Sequence, residues 1–186
     1  ISKSFLPFFT NLFLSMINKT AIILLNFNSY VDTDECLQSI LDSDEKNYSV
    51  IVVDNASIDD SLSKLKLKYL KTKHIIFIEN KFNGGFSYGC NVGIRKALDN
   101  NFDFVLLLNN DTIVTNGFLT NLQDTFKLNK GIGVVGGTTY VNNSNMVWDA
   151  GGYICHKTFR GIRYNFKKEN PHEVKFITCC YSLISS

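Results

Sequence analysis

The stretch Phe104 to Val114, FVLLLNNDTIV, decides the architecture. Val105, Leu106, Leu107 and Leu108 are apolar at consecutive positions, so as a strand they offer no polar face to water. Such a strand must be covered on both sides, as in a parallel sheet. The run stops at Asn109, Asn110 and Asp111 and resumes at Ile113. A turn explains such a break, and so does a site built at the end of a strand.

Three other runs share this character: AIILLNF (21–27), SVIVVD (49–54) and HIIFIEN (74–80). Helical patterns lie between them. The first opens with Asp32 and Glu35 in capping-box spacing and carries Cys36, Leu37, Ile40 and Leu41. The second, KLKLKYLKTK (64–73), sets Leu65 and Tyr69, with Leu62 before them, at helical spacing. Its lysines are expected to face water; contact with an anionic membrane surface is the alternative. The third, SYGCNVGIRKAL (87–98), holds Gly89 and Gly93 four apart, where a backbone can approach closely. A helix over FLTNLQDTF (118–126) and a strand over GVVGGTTY (133–140) follow, and then an irregular, glycine-rich stretch including WDAGGYI (148–154). Alternating strand and helix predict one α/β domain, a three-layer Rossmann-like arrangement around a mostly parallel sheet with right-handed crossovers.

Composition agrees with a globular domain. The chain has 186 residues, 45% of them hydrophobic and 19% charged, enough for a real core and too apolar for disorder. A net charge of +2 does not point to nucleic acid as a partner. Five cysteines without CxxC spacing and three scattered histidines do not suggest a zinc site, and they fit reduced thiols in a cytoplasmic protein. Residues 1–15 are apolar, interrupted by Pro7 and too short to span a bilayer. Met16 precedes a natural domain opening, so 1–15 are expected to be a non-native or upstream extension and 16–186 the domain.

Each apolar run ends in polar residues: Asn26, Asn28 and Ser29; Asp54, Asn55, Ser57 and Asp59; Asn80, Asn83, Gly84 and Gly85; Asn109, Asn110 and Asp111. In an open parallel sheet the carboxyl ends share one edge, where ligands bind at the point of strand-order reversal. Taken singly, DNAS (54–57) is also a helix cap, NGG (83–85) a turn, and NND (109–111) a loop start. Together they describe one polar edge with two acids, Asp54 and Asp111. The spacing matches neither GxGxxG nor a P-loop.

AIILLNFNS, VVDNASIDDS, NGGFSYGCNVGI and LLLNNDT, in this order, resemble the inverting family 2 glycosyltransferases of GT-A fold, with the rhamnosyltransferase-like enzymes of bacterial surface polysaccharide synthesis as the subgroup. The resemblance implies transfer from a nucleotide-sugar donor, dTDP-rhamnose or a UDP-sugar, to a saccharide or lipid-linked acceptor. It implies no nucleic-acid partner, and a place in the cytoplasm with peripheral contact at the inner face of the cell membrane. It implies that Asp54, Asn55 and Ser57, with Asn26 and Asn28, meet the base or ribose, and that Asn83, Gly85 and Asn91 pack beside the nucleotide. Asn109 and Asn110 stand with Asp111 at the family's D-x-D position, so Asp111 is expected to hold Mg²⁺ or Mn²⁺, weakly without nucleotide. Trp148, Asp149, Gly151 and Gly152 resemble a donor-sugar or acceptor loop; loop packing for Trp148 and turn formation for Asp149 are the alternatives.

FITCCYSLISS (176–186) resembles the strand before the family's acidic base motif, with Cys179 where glycine is usual. No acidic residue follows Glu173, so the catalytic base is unassigned, with Asp149 of VWDAGG the one late alternative. A truncated coding sequence lacking its acceptor part is expected, with apolar surface exposed; the alternative function is a catalytically incomplete nucleotide-sugar-binding fragment. A sugar nucleotidyltransferase fits less well, because NFNSYVDTDE (26–35) has neither the glycines nor the lysine of a pyrophosphate loop.

Overall fold

The computed structural model describes residues 19–128, 130–167 and 169–186. The expected extension at 1–15 and the start at Met16 lie outside the described residues. Four parallel strands carry the sheet: β1 (Thr20–Asn26), β2 (Tyr48–Asp54), β3 (Ile75–Glu79) and β4 (Phe104–Leu108). Helices α1 (Tyr30–Asp42), α2 (Ser61–Lys68) and α3 (Gly85–Asp99) connect them, and α4 (Phe118–Leu128) follows β4. Short strands β5 (Val134–Gly136), β6 (Thr139–Tyr140), β7 (Val147–Asp149), β8 (Gly152–Ile154) and β9 (Gly161–Arg163) lead to β10 (Tyr181–Ser185).

The sheet order is β3-β2-β1-β4-β10-β5. Order therefore runs outward from β1 to β3, then jumps back across β1 to β4, which makes the β1/β4 seam the topological switch point. Period-two alternation sorts the side chains. Ile22, Leu24, Val50, Val52, Leu106 and Leu108 meet α1, α2 and α4 on one face. Ala21, Ile23, Ile51, Val53, Val105 and Leu107 meet α3 on the other. All five β4 residues are buried, as their lack of a polar face demands. Burying each large aliphatic side chain stabilises by roughly 1.5–3 kcal/mol, so the central strands carry much of the fold. The expected three-layer α/β architecture is observed.

Gly89 and Gly93 give α3 its close seat. A Cβ on Gly93 would stand 2.5 Å from Ile23 Cγ2, and one on Gly89 2.2 Å from Leu25 Cδ1. Several local expectations need correction. Helix α1 begins at Tyr30 behind Ser29, not at an Asp32/Glu35 box: the Ser29 carbonyl already accepts the Thr33 N–H (3.3 Å), and Ser29 Oγ donates to Asp32 Oδ2 in place of the reciprocal backbone bonds of a box. Helix α2 ends at Lys68, short of Lys73, as Tyr69 buries its ring and donates to Asp34. GVVGGTTY is two strands: β5 pairs with β10, whereas β6 pairs with β7. The final segment becomes a strand only at Tyr181, after a turn at Cys179 and Cys180. It enters antiparallel between β4 and β5.

Candidate active site

The polar clusters do meet at one sheet edge, and hydrogen bonds join them. Asn26, fully buried at the end of β1, is the hub. Its Nδ2 donates to Asp54 Oδ1 (2.7 Å), Ser57 Oγ (3.2 Å) and Ser61 Oγ (3.1 Å). Its Oδ1 accepts from Thr33 Oγ1 (2.8 Å), which itself accepts from Asn110 Nδ2 (2.9 Å). Strand ends and helix starts are tied by this one side chain, because an amide both donates and accepts.

Asp54 is 2% exposed. Its Oδ1 accepts from Ser57 Oγ (2.6 Å) as well as from Asn26, and Oδ2 accepts the Ser57 N–H (2.8 Å). Its carboxylate thus holds the loop between β2 and α2. Asn28, at φ 50°, accepts the Ile58 N–H at 2.8 Å, while its own N–H reaches Ser57 Oγ at 2.9 Å. Ala56 sits in the left-handed region at φ 62°, an uncommon place for a residue with a Cβ, held there by the bonds on both sides.

A second amide group forms at the next strand end. Asn55 Nδ2 donates to Asn83 Oδ1 (2.7 Å) and to the Gly85 carbonyl (3.2 Å), while Asn80 Nδ2 donates to Asn55 Oδ1 (3.1 Å). Asn83 Oδ1 also accepts the Gly85 N–H at 2.9 Å, and Gly85 takes φ 81°, which glycine adopts without strain. Asn91 is separate, exposed on α3 and outside the cleft lining; Asn26, Asn28, Asp54, Asn55, Ser57, Asn83 and Gly85 brace the edge, likewise without lining the cleft itself.

The cleft opens at the β1/β4 seam, with a volume of about 320 Å³. Ile23, Leu25, Leu107, Leu108 and Cys90 line it, with Phe27, Ser29 and Phe86 and the triplet Asn109, Asn110 and Asp111. Asp111 is exposed and accepts no hydrogen bond among the described residues, unlike Asp54. Beneath it, Cys36 Sγ approaches the Asn109 carbonyl at 3.7 Å; burial, reinforced by the charge of Asp111, pushes the pKa of this thiol up to about 12. The Asn109 N–H donates to the Cys180 carbonyl (2.9 Å), so the β10 approach buttresses the triplet.

The WDAGG loop adjoins that buttress. Asp149 is 3% exposed; its Oδ2 accepts from Thr178 Oγ1 (2.7 Å), and Arg163 Nε stands 3.8 Å from its Oδ1. The Arg163 guanidinium lies over the Trp148 ring at 4.5 Å. Gly151 adopts φ 75°, and a Cβ on Gly152 would stand 2.2 Å from the Ile162 carbonyl. Asp149, at the end of β7, therefore ties that strand to β9 and to the segment before β10 rather than facing open solvent. Thr33 and Ser61 join the network without standing out in the sequence. A signal for Thr33 exists all the same, since it is the polar member of the buried stripe with Cys36, Leu37 and Ile40 on α1.

No group of three or more His, Cys, Asp or Glu side chains gathers to hold an ion among the described residues. Asp111 suits a hard divalent cation as a single carboxylate ligand, the arrangement in which a bound diphosphate completes the shell.

Comparison with known proteins agrees with this architecture. Poly-beta-1,6-N-acetyl-D-glucosamine synthase of Staphylococcus epidermidis is 21% identical over 127 residues, covering 68% of this chain and 30% of its own length. The chain thus spans about a third of the length of that relative. Among solved structures, a Pyrobaculum calidifontis mannosyltransferase, PcManGT, in complex with GDP-Man and Mn²⁺ aligns with TM-score 0.59 at 20% identity, over 66% of this chain and 36% of its own. S. aureus TarS 1–349 in complex with UDP aligns with TM-score 0.58 at 23% identity, over 68% and 37% respectively. These likenesses establish the GT-A fold. The family model "Glycosyl transferase family 2" matches residues 21–186, from the first strand of the sheet to the last, and the chain accordingly belongs to glycosyl transferase family 2.

Proposed function

We propose that the protein transfers a sugar from a nucleoside-diphosphate donor, dTDP-rhamnose or a UDP-sugar, to a saccharide or lipid-linked acceptor of cell-surface polysaccharide synthesis, with inversion. One observation carries the reading: the cleft at the switch point of strand order has a single carboxylate, Asp111, without a hydrogen-bond partner among the described residues. The buried Asn26–Asp54–Ser57 network holds the loops after β1 and β2, and the Asn55–Asn83–Gly85 group holds the start of α3, so that base and ribose would lie against the edge these groups brace. Asn109 and Asn110 position the turn that presents Asp111. Breaking the sugar–phosphate bond leaves negative charge on the departing diphosphate. Mg²⁺ or Mn²⁺ held by Asp111 would supply Lewis-acid stabilisation of that charge. Trp148 and Asp149 at the end of β7, with Gly151 and Gly152 leading into β8, would flank donor sugar or acceptor.

Titration calorimetry with UDP, dTDP and GDP, with and without Mn²⁺, tests the reading. One nucleotide should bind in a metal-dependent way, and Asp111→Ala should abolish the metal dependence without lowering the melting temperature. A well-folded chain that binds no nucleotide overturns it. The alternative, a nucleotide-sugar-binding protein without turnover, draws on the cleft lining, where no second carboxylate stands beside Asp111 among the described residues. Product formation with a saccharide acceptor separates the two.

A further inference from the structure

We propose that the β8–β9 hairpin, with Phe159 at its tip between Lys157 and Arg160, is the edge by which the protein rests on an anionic lipid surface. The tip is built and not frayed. The Cys155 N–H donates to the Arg160 carbonyl (2.9 Å) and the Phe159 N–H to the Cys155 carbonyl (2.7 Å), holding Phe159 at φ 54° and 83% exposed. Cross-strand partners Tyr153 and Ile162 share one face of the hairpin and stay exposed. The opposite face is covered only around Gly152 and Gly161, where a Cβ would meet the Phe176 ring; Ile154 on that face stays 45% exposed. The hairpin thus presents exposed apolar side chains on both faces, ending in an aromatic wedge.

Charge chooses the occupant. From Ala150 to Lys168 the chain carries Lys157, Arg160, Arg163, Lys167 and Lys168 and no acid, although the whole protein is only +2. Lys157 and Arg160 form no ion pair among the described residues, whereas Lys64, Lys66 and Lys68 of the basic helix α2 are paired with Asp60, Glu79 and Asp34. A helix neutralised in this way has little left for lipid; the hairpin keeps its charge. Exposed aromatics beside unpaired cations match the interface between headgroups and acyl chains, where rings insert and cations meet anionic headgroups. Through Arg163, Asp149, Thr178 and Cys180 this edge is linked to Asn109 of the cleft lining, so the membrane would lie on that side of the cleft.

The test is co-sedimentation of the purified chain with phosphatidylcholine vesicles, with and without phosphatidylglycerol. Binding is expected only with the anionic lipid, weakening as salt rises. Lys157→Ala/Arg160→Ala should weaken partitioning roughly 30-fold, the equivalent of about 1 kcal/mol for each surface cation. The control Lys71→Ala/Lys73→Ala, in the basic stretch after α2, should bind as the parent does. A Phe159→Trp/Trp148→Phe variant reports insertion directly, its emission moving to shorter wavelength on anionic vesicles. Nucleotide titration of Lys157→Ala/Arg160→Ala should be unchanged, which separates this proposal from the catalytic one. Four results would each overturn it: equal binding to both vesicles, loss of binding in the Lys71→Ala/Lys73→Ala control instead, unshifted tryptophan emission on bound protein, or a dimer that buries the hairpin in place of lipid binding.

Discussion

Replacing Asn26 with alanine should test whether the polar edge is one cooperative unit. The change removes four hydrogen bonds from a fully buried side chain. Two of the losses are compensated, since Ser57 still donates to Asp54 and Ser61 to Asp59. Two are not. Asp54 loses a charge-assisted bond, costing about 1.5–3 kcal/mol, and the Thr33 hydroxyl loses its buried acceptor, costing about 1–3 kcal/mol. With partial hydration of the gap the total should be about 3–4 kcal/mol, a large share of the roughly 5–15 kcal/mol typical of a domain. At a urea slope of about 2 kcal/mol/M the unfolding midpoint should fall by roughly 1.5–2 M. Asn26→Asp gives the electrostatic complement by placing a second carboxylate where Nδ2 lies 2.7 Å from Asp54 Oδ1. Like charges at that distance repel, and a proton shared between the two carboxylates relieves the repulsion, so that variant should be less destabilised in acid than at neutral pH. Urea melts followed by circular dichroism read both. A loss below about 1 kcal/mol in Asn26→Ala would refute the reasoning, because water would then replace the amide at little cost.

Gly93→Ala should destabilise by about 2–3 kcal/mol and Gly89→Ala by less, because the first meets the stiff, branched Ile23 and Val53 and the second the mobile end of Leu25; thermal melts rank them. Glu45 accepts the Leu119 and Thr120 N–H groups and the Thr120 hydroxyl at the start of α4, so Glu45→Ala should cost about 2 kcal/mol in the same assay. Hydrogen bonds from the Thr158 side chain and the turn backbone lower the pKa of the Cys155 thiol, so iodoacetamide should label it well before Cys36 and Cys90, as mass spectrometry would show. Burial raises Cys36 to about 12 and Cys90 to about 11 against 9.0 for a free thiol, so these two hold protons in the folded state that the unfolded chain gives up. Their contribution to stability is full below about pH 9 and declines as pH climbs toward those values, measurable as a falling urea midpoint.

The order of strands and helices was legible because it rests on short-range periodicity. Four consecutive apolar residues at Val105–Leu108 cannot face water, and glycines at 89 and 93 cannot serve one helix face without a neighbour close by. The polar strand ends were equally visible, since a parallel sheet puts its carboxyl ends on one edge. What each polar group does there was not visible. Asp54 and Asp111 look alike as acids that follow apolar runs, yet the first is engaged by Asn26 and Ser57 and the second is open. Asn26 comes from a strand 28 residues away, and no such partner reaches Asp111 among the described residues. The lysines of α2 are neutralised in part by Asp34 and Glu79 from other elements, while Lys157 and Arg160 of the hairpin keep their charge. The antiparallel entry of β10 between β4 and β5 is likewise a choice of edge that no local pattern encodes. Local pattern sets which residues must be buried; only the packing of distant segments decides which polar groups are left open to a ligand.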